Sequence, residues 1–396
     1  MRLEPDLEDA MNSDLNRMSP FYVMDVLDRA KAMEAKGDDI VHLEVGEPDF
    51  DLHPLIEEAV RRAYAEKRTH YTDSAGDAEL REAVCRLYKA EYGVDVTPDR
   101  VIVTSGSSPA LTMGVMAVCD AGEEVLVSNP GYPCYRNFAL AAHAVPVDVP
   151  VSAENGFQLD PADVEKATNP LLTRAVFVNS PMNPAGTLLE PDVLRKITDG
   201  PLTVLSDEIY HGLVYNGKKA HSVLEYTDNA FVFNGFSKRF AMTGLRLGYM
   251  IVPKKYVKLL RIVNQNLFLC AGSAAQRAGL AAIQLLLGEV KGSAEFIASQ
   301  QAMVAEYDRR RRFILEKIRG MGMKVQVEPE GAFYVFADAR CYTSDSLKFA
   351  YDVLERAHVG IAPGTDFGTR GQGFVRFAYA NSIPRIREAF NRMAEF

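Results

Sequence analysis

The chain has 396 residues, 47% hydrophobic and 24% charged, which is too long for one hydrophobic core and too apolar for a disordered chain. A net charge of −9 and a pI near 5.4 speak against general affinity for nucleic acid or an anionic membrane. The five cysteines (Cys85, Cys119, Cys134, Cys270 and Cys341) are widely spaced and contain no C-x-x-C pair, as expected of free thiols in a reducing compartment.

In chain order, the acidic start Met1–Asp6 lacks an apolar signal core, and no apolar run approaches a membrane span, so a cytoplasmic protein is expected. Residues 21–36 predict an amphipathic helix with Val26, Leu27, Ala30 and Met33 on one stripe. Helical patterns follow near 54–67 and 77–91. Then come short apolar runs: Val101–Val103, Val125–Val127, Ala175–Val178, Thr203–Leu205, Phe231–Phe233 and Gly248–Val252. They show little polar alternation, so they predict strands covered on both faces. The fold class is therefore α/β, with a mostly parallel sheet between helices.

After about residue 290 the texture changes. A long helical pattern runs through Ile314 and Ile318 and contains Arg309–Arg312, which reads as a solvated helix face. Strands are expected at Lys324–Val327, Phe333–Phe336 and Phe374–Tyr379, with helices near 346–357 and from Pro384. This predicts a large domain over 46–290 and a smaller α+β domain over 291–396, with 1–45 packing against the latter. No DNA-binding domain is expected before residue 40. The seven histidines are scattered without a His-x-x-x-His pair, so no metal site is expected.

Chemistry collects at the predicted strand ends. Val101–Val103 leads into Thr104-Ser105-Gly106-Ser107-Ser108-Pro109, where a helix starts; its N–H groups and the hydroxyls of Ser107 and Ser108 could hold an anion, or either serine could be an ordinary cap. Tyr132, in Asn129-Pro130-Gly131-Tyr132, could stack on a flat heteroaromatic ring or simply pack under a turn. Asn183 sits in the Pro/Gly-fixed loop Asn179–Thr187, where it is either a donor to a ring oxygen or a turn residue. Asp207 ends another strand, where it could pair with a protonated pyridine nitrogen, and Tyr210 could lie one turn on.

In Ser237-Lys238-Arg239-Phe240-Ala241-Met242-Thr243-Gly244-Leu245-Arg246-Leu247-Gly248, a lysine leaves a buried strand and an arginine follows eight residues later. Partial desolvation favours a neutral, nucleophilic amine, and a guanidinium suits a phosphate. An aldehyde and a phosphate on one small molecule describe pyridoxal 5'-phosphate (PLP).

The set resembles the class I/II aminotransferases, fold type I PLP enzymes, over nearly the whole chain from Leu43-Glu44-Val45-Gly46-Glu47-Pro48-Asp49-Phe50 to Val375-Arg376-Phe377. The Ser-Lys-x-Phe-x-Met-x-Gly-x-Arg-x-Gly stretch carries most of the resemblance. It implies a PLP-dependent transferase fold with a sheet of the seven-stranded type. It also implies that Lys238 forms the Schiff base and that Arg246, Ser237, Ser107 and Ser108 bind phosphate. Asp207 would meet the pyridine nitrogen, Tyr210 and Asn183 the ring hydroxyl oxygen, and Tyr132 the ring face. Arg376, with the Gly46 backbone, would clamp the substrate α-carboxylate. Tyr71 would reach the phosphate of a neighbouring subunit, making a homodimer with shared sites. Cis peptide bonds are expected before Pro130 and Pro184.

The reaction implied is transamination between an L-amino acid and a 2-oxo acid. A carbon-sulfur β-lyase and an aminocyclopropane-carboxylate synthase would use the same cofactor site. An α/β-hydrolase with Ser108 as nucleophile is a remote alternative, because Pro109 lacks the N–H an oxyanion hole needs. Ser108 stands where some aspartate-specific relatives carry a lysine. With His70 and Tyr71 nearby, this favours neutral or aromatic amino acids.

Overall fold

The computed structural model describes residues 12–396, so Met1–Asp6 lies outside the described residues. The strands are β1 (Val41–His42), β2 (Val101–Thr104), β3 (Glu124–Asn129), β4 (Val145–Pro150), β5 (Thr173–Asn179), β6 (Thr203–Asp207), β7 (Phe231–Gly235), β8 (Gly248–Ile251), β9 (Tyr334–Asp338), β10 (Val359–Gly360), β11 (Ala362–Pro363) and β12 (Phe374–Ala378). Seven of them form the central sheet in the order β2-β8-β7-β6-β5-β3-β4. Only β8 runs against its neighbours. β2, β6, β7 and β8 are buried along nearly their whole length, as strands sandwiched between helices must be. Consequently β2, β3, β5, β6 and β7 all end on one edge, where α/β sheets open a ligand crevice.

β4 carries no signal in the apolar-run pattern. Val-Pro-Val-Asp-Val-Pro alternates and holds two prolines, which suits the sheet's outer edge, where one side of the backbone needs no partner. The strand expected at Lys324–Val327 is absent; Lys324 makes only an isolated bridge to Asp338. Elsewhere β11, β12 and β9 form a small antiparallel sheet, and β1 pairs in parallel with β10. The peptide bonds before Pro130 and Pro184 are cis, and so is that before Pro181.

Helices α1 (Tyr22–Glu34), α2 (Pro54–Ala65), α3 (Ala78–Tyr92) and α4 (Ser107–Val118) follow the sequence pattern in the first part of the chain, and α5 (Cys134–Ala141) is an addition to it. α3 begins on Asp77, whose carboxylate accepts from Glu79 N at 3.3 Å, and stops at Gly93 in the left-handed region. α1 buries Val23, Val26 and Ala30.

The solvated-face reading of Arg309–Arg312 is corrected. Successive helical residues turn by about 100°, so four in a row cannot share one face. Arg309 and Arg312 are exposed, whereas Arg310 and Arg311 are buried in the long helix Ser293–Gly320. Arg310 pairs with Asp49 at 2.7 Å and Glu306 at 2.8 Å, and Arg311 with Asp308 at 2.7 Å. No helix among the described residues is long and apolar enough to cross a membrane.

Candidate active site

The strand ends and the short sheet carrying Arg376 enclose a pocket of about 550 Å³. Lys238 lies three residues beyond the end of β7. Its Nζ donates to the Gly46 carbonyl at 2.6 Å. Burial pulls this ammonium down to about 8, and the positive charges of Arg376 and Arg246 act the same way against the pull of Glu47. The amine is therefore neutral in a substantial fraction of molecules just above neutral pH.

Arg246 lies over the N-terminus of α4. Gly106 has φ +88°, a conformation other residues adopt only under strain, and a Cβ there would also sit 2.6 Å from the Arg246 guanidinium and push it aside. Gly106 is the cap of α4, and Ser107 and Ser108 are its first two residues. Neither serine is the cap. Their N–H groups open the helix toward Arg246, a cradle of the right sign for a phosphate. Ser107, Ser108, Ser237, Tyr132 and Asn183 all line the same pocket.

At the opposite end Asp207 is buried, with Oδ2 accepting from Tyr135 Oη at 2.7 Å and Oδ1 from Ile209 N at 3.2 Å. Burial pushes its carboxyl up to about 6, opposed by Tyr135, the Ile209 N–H and Lys238. Tyr210 bonds Tyr334, hydroxyl to hydroxyl, at 2.7 Å. Arg376 is almost fully buried on β12. It donates to Asn183 Oδ1 at 2.9 Å and to the Glu44 carbonyl, lies 4.3 Å from the Tyr334 ring centroid, and leaves its Nε without a partner. Gly46 is needed beside it, because a Cβ there would overlap the Tyr334 hydroxyl.

Tyr71 is not in this pocket. It is 81% exposed, in a separate depression with Arg261, Ile262 and Leu269.

The model of the family "Aminotransferase class I and II" matches residues 38–392. The chain belongs to the class I and II aminotransferases. It is 37% identical to the (5-formylfuran-3-yl)methyl phosphate transaminase of Methanocaldococcus jannaschii, over 98% of this chain and 99% of that one. It is 34% identical to the aromatic-amino-acid aminotransferase 2 of Thermococcus litoralis, over 97% of each chain. The structure of the Thermus thermophilus aspartate aminotransferase with maleate superposes with a TM-score of 0.90 at 35% identity, covering 97% of this chain and 99% of that one.

This aminotransferase is PLP-dependent, and its donor set fits that cofactor. A buried carboxylate faces one end of the pocket, an arginine and a helix N-terminus face the other, and a desolvated lysine lies between them.

Several residues here carry no signal in the sequence motifs. Tyr135 follows Tyr132 by three residues at the start of α5, and its ring stacks on Phe177 at 4.4 Å. Removing its hydroxyl strips one hydrogen bond from the Asp207 carboxylate, worth about 1.5–3 kcal/mol for a charged partner. Tyr135→Phe should lower kcat by about tenfold or more and raise the Asp207 proton affinity. The acidic limb of the kcat/KM–pH profile should then move to higher pH.

Glu44 supports the site from behind. Its side chain is fully buried, and Oε1 meets His42 Nδ1 at 2.7 Å. Glu44, opposed by burial and helped by Glu34, raises the imidazole to about 9. The unfolded value lies near 6.5, so this stabilisation is whole below about 6.5 and is lost as pH rises through 9. The Tm of the wild-type protein should fall between those pH values. His42→Gln should be less stable at pH 6 and lack that fall, as differential scanning calorimetry across the range would measure.

Proposed function

We propose that this aminotransferase moves the amino group of a neutral or aromatic L-amino acid to a 2-oxo acid, with Lys238 holding the cofactor aldehyde. The observation that carries this reading is the convergence of Lys238, Asp207 and the Arg246–α4 cradle in one pocket. When bound, PLP supplies an aldehyde that takes the amine and a protonated ring that accepts the electron pair of the α-carbon. Asp207 would keep the ring nitrogen protonated. Tyr210 and the amide of Asn183, whose Oδ1 is committed to Arg376, would meet the ring oxygen, and Tyr132 the ring face. Arg246, Ser107, Ser108 and Ser237 would hold the phosphate.

Arg376 fixes the substrate α-carboxylate by a charge-assisted pair, which orients the Cα–H bond toward Lys238. Lys238 Nζ, set free as an amine when the substrate amine takes its place on the aldehyde, would then take the α-proton and return it to the cofactor carbon, acting as base and acid in turn. A neutral amine is required for the first step, and a value near 8 supplies one at physiological pH.

The side-chain end of the pocket supports the substrate class. Phe21, Val23 and Leu27 of the α1 region and Val45 line it. Ser108 offers no charge to a second carboxylate, Lys238, Arg246 and Arg376 would be committed to the cofactor and the α-carboxylate, and the remaining lining cation, Lys31, is an exposed residue of α1 whose ammonium is solvated. A donor panel with 2-oxoglutarate and pyruvate as acceptors tests this. Burying an apolar side chain is worth about 2 kcal/mol, so kcat/KM for phenylalanine or leucine should exceed that for aspartate by about thirtyfold. Preference for aspartate would contradict the substrate class, and release of ammonia with pyruvate would mark a lyase instead.

We also infer a cytoplasmic homodimer. Tyr71, exposed beside the half-exposed apolar Ile262 and Leu269, supports a reach into a partner's phosphate cradle. Residues 46–290 would form the cofactor-holding domain, and 291–396 with 12–45 the smaller one, supported by the β1–β10 pairing, while the rest of the expected 1–45 segment lies outside the described residues.

A further inference from the structure

α1 forms part of the pocket wall, yet its N-terminus has no local cap. Phe21 occupies the cap position and supplies no side-chain acceptor. The first two helical N–H groups are instead taken by a residue more than three hundred positions away. Asp366 Oδ1 accepts from Tyr22 N at 3.0 Å, and Oδ2 accepts from Val23 N at 3.2 Å. Each carboxylate oxygen holds one donor, and Asp366 is 6% exposed. The next residue, Phe367, lies 5.0 Å from the Arg376 guanidinium. The Phe367 carbonyl accepts from Gly131 N at 2.8 Å, beside Tyr132. One short segment, Gly364–Phe367, therefore touches α1, the carboxylate-binding arginine and the loop that carries the ring-facing tyrosine.

We propose that Asp366 is a positioning residue for substrate, seating α1 as the side-chain wall of the pocket in register with Arg376. The inference rests on the aminotransferase reading of that pocket and deepens it. Burial pushes the Asp366 carboxyl up to about 6, opposed by the Tyr22 and Val23 N–H groups and by the positive charge of Arg376. The carboxylate does not touch the cofactor region. Its loss should loosen the wall that meets the substrate side chain while leaving cofactor binding and proton transfer intact.

The test uses the PLP-loaded full chain and a probe the sequence permits. The protein has no tryptophan, so Met24→Trp, on the pocket side of α1, reports that helix alone. Kinetics and PLP affinity are read in the wild-type chain and quenching in the Met24→Trp background; Asp366→Ala should raise KM for the apolar amino acid by about tenfold, the scale of a lost helix cap. It should leave kcat within about threefold and the PLP Kd unchanged, and make the tryptophan easier to quench with acrylamide. Asp366→Asn keeps one acceptor oxygen and should lie between the two. If Asp366→Ala does not fold, the same readouts on Asp366→Asn decide the matter. Unchanged KM with unchanged quenching, or a fall in kcat at constant KM, would overturn the proposal. Absence of PLP binding or turnover in the Met24→Trp parent and the wild type would instead contradict the aminotransferase reading beneath it.

Discussion

Lys238→Ala should lower kcat by about four orders of magnitude while the protein still binds PLP. A positioned general base contributes up to about 10⁴-fold, and the structure offers no substitute near the reacting atoms. The other lysine lining the pocket, Lys31, is an exposed residue of α1 at the mouth. Lys238 is distinguished by its environment. Its ammonium is drawn to about 8 by burial and by two arginines, and its Nζ reaches the Gly46 carbonyl at the centre of the pocket. On the proposed reading, cofactor retention would have a separate origin, in Arg246, the N-terminus of α4 and Asp207. The variant should therefore lose turnover far more than affinity. Lys238→Arg should fare no better, because a guanidinium stays protonated throughout the accessible pH range. Rapid-mixing measurements of a single half-reaction would separate the two effects.

Asp207→Asn should be the next most damaging change, lowering kcat by about two to three orders of magnitude, the usual cost of losing a preorganised electrostatic partner. The carboxylate is held from two sides, by Tyr135 Oη and Ile209 N, so its negative charge is fixed in place. A neutral amide of the same size keeps the packing but cannot hold a proton on the ring nitrogen. The electron pair released at the substrate α-carbon then has a poorer acceptor. KM for the amino acid should change little, since on the proposed reading Arg376 would bind the carboxylate without help from Asp207. PLP affinity should weaken, as equilibrium dialysis would register. Comparison with Tyr135→Phe places the two residues in order. The tyrosine variant weakens the charge, and the aspartate variant removes it.

The sites at the strand ends were legible because each buried run in this sheet stops abruptly at a polar loop. Asp207 ends β6, Asn129 ends β3 and Asn179 ends β5, while Ser237 and Lys238 follow β7. Their shared edge follows from parallel strands, so order along the chain became proximity in space. Edge strand β4 was invisible for the opposite reason, since exposure restores alternation and admits proline. The string at Lys324–Val327 meets the free edge of β9 only at that strand's last residue, Asp338, so one bridge forms and no ladder follows.

Contacts across long separations were not legible. Tyr334 meets Tyr210 from 124 positions away, and Asp366 meets Tyr22 from 344. Nothing in the residue types near either partner announces the other. Arg310 was misread in the same way, because nothing near it announces Asp49, 261 positions away, whereas Arg311 pairs with Asp308 three residues before it and helical periodicity alone would have turned it from the exposed face.

The most direct test of the central claim is chemical. The purified protein, saturated with PLP, is reduced with borohydride, digested and mapped by mass spectrometry. The cofactor should be found covalently attached to the peptide containing Lys238, in near-stoichiometric yield, and absent from it in Lys238→Ala. Attachment at another lysine, or no attachment at all, would contradict the account.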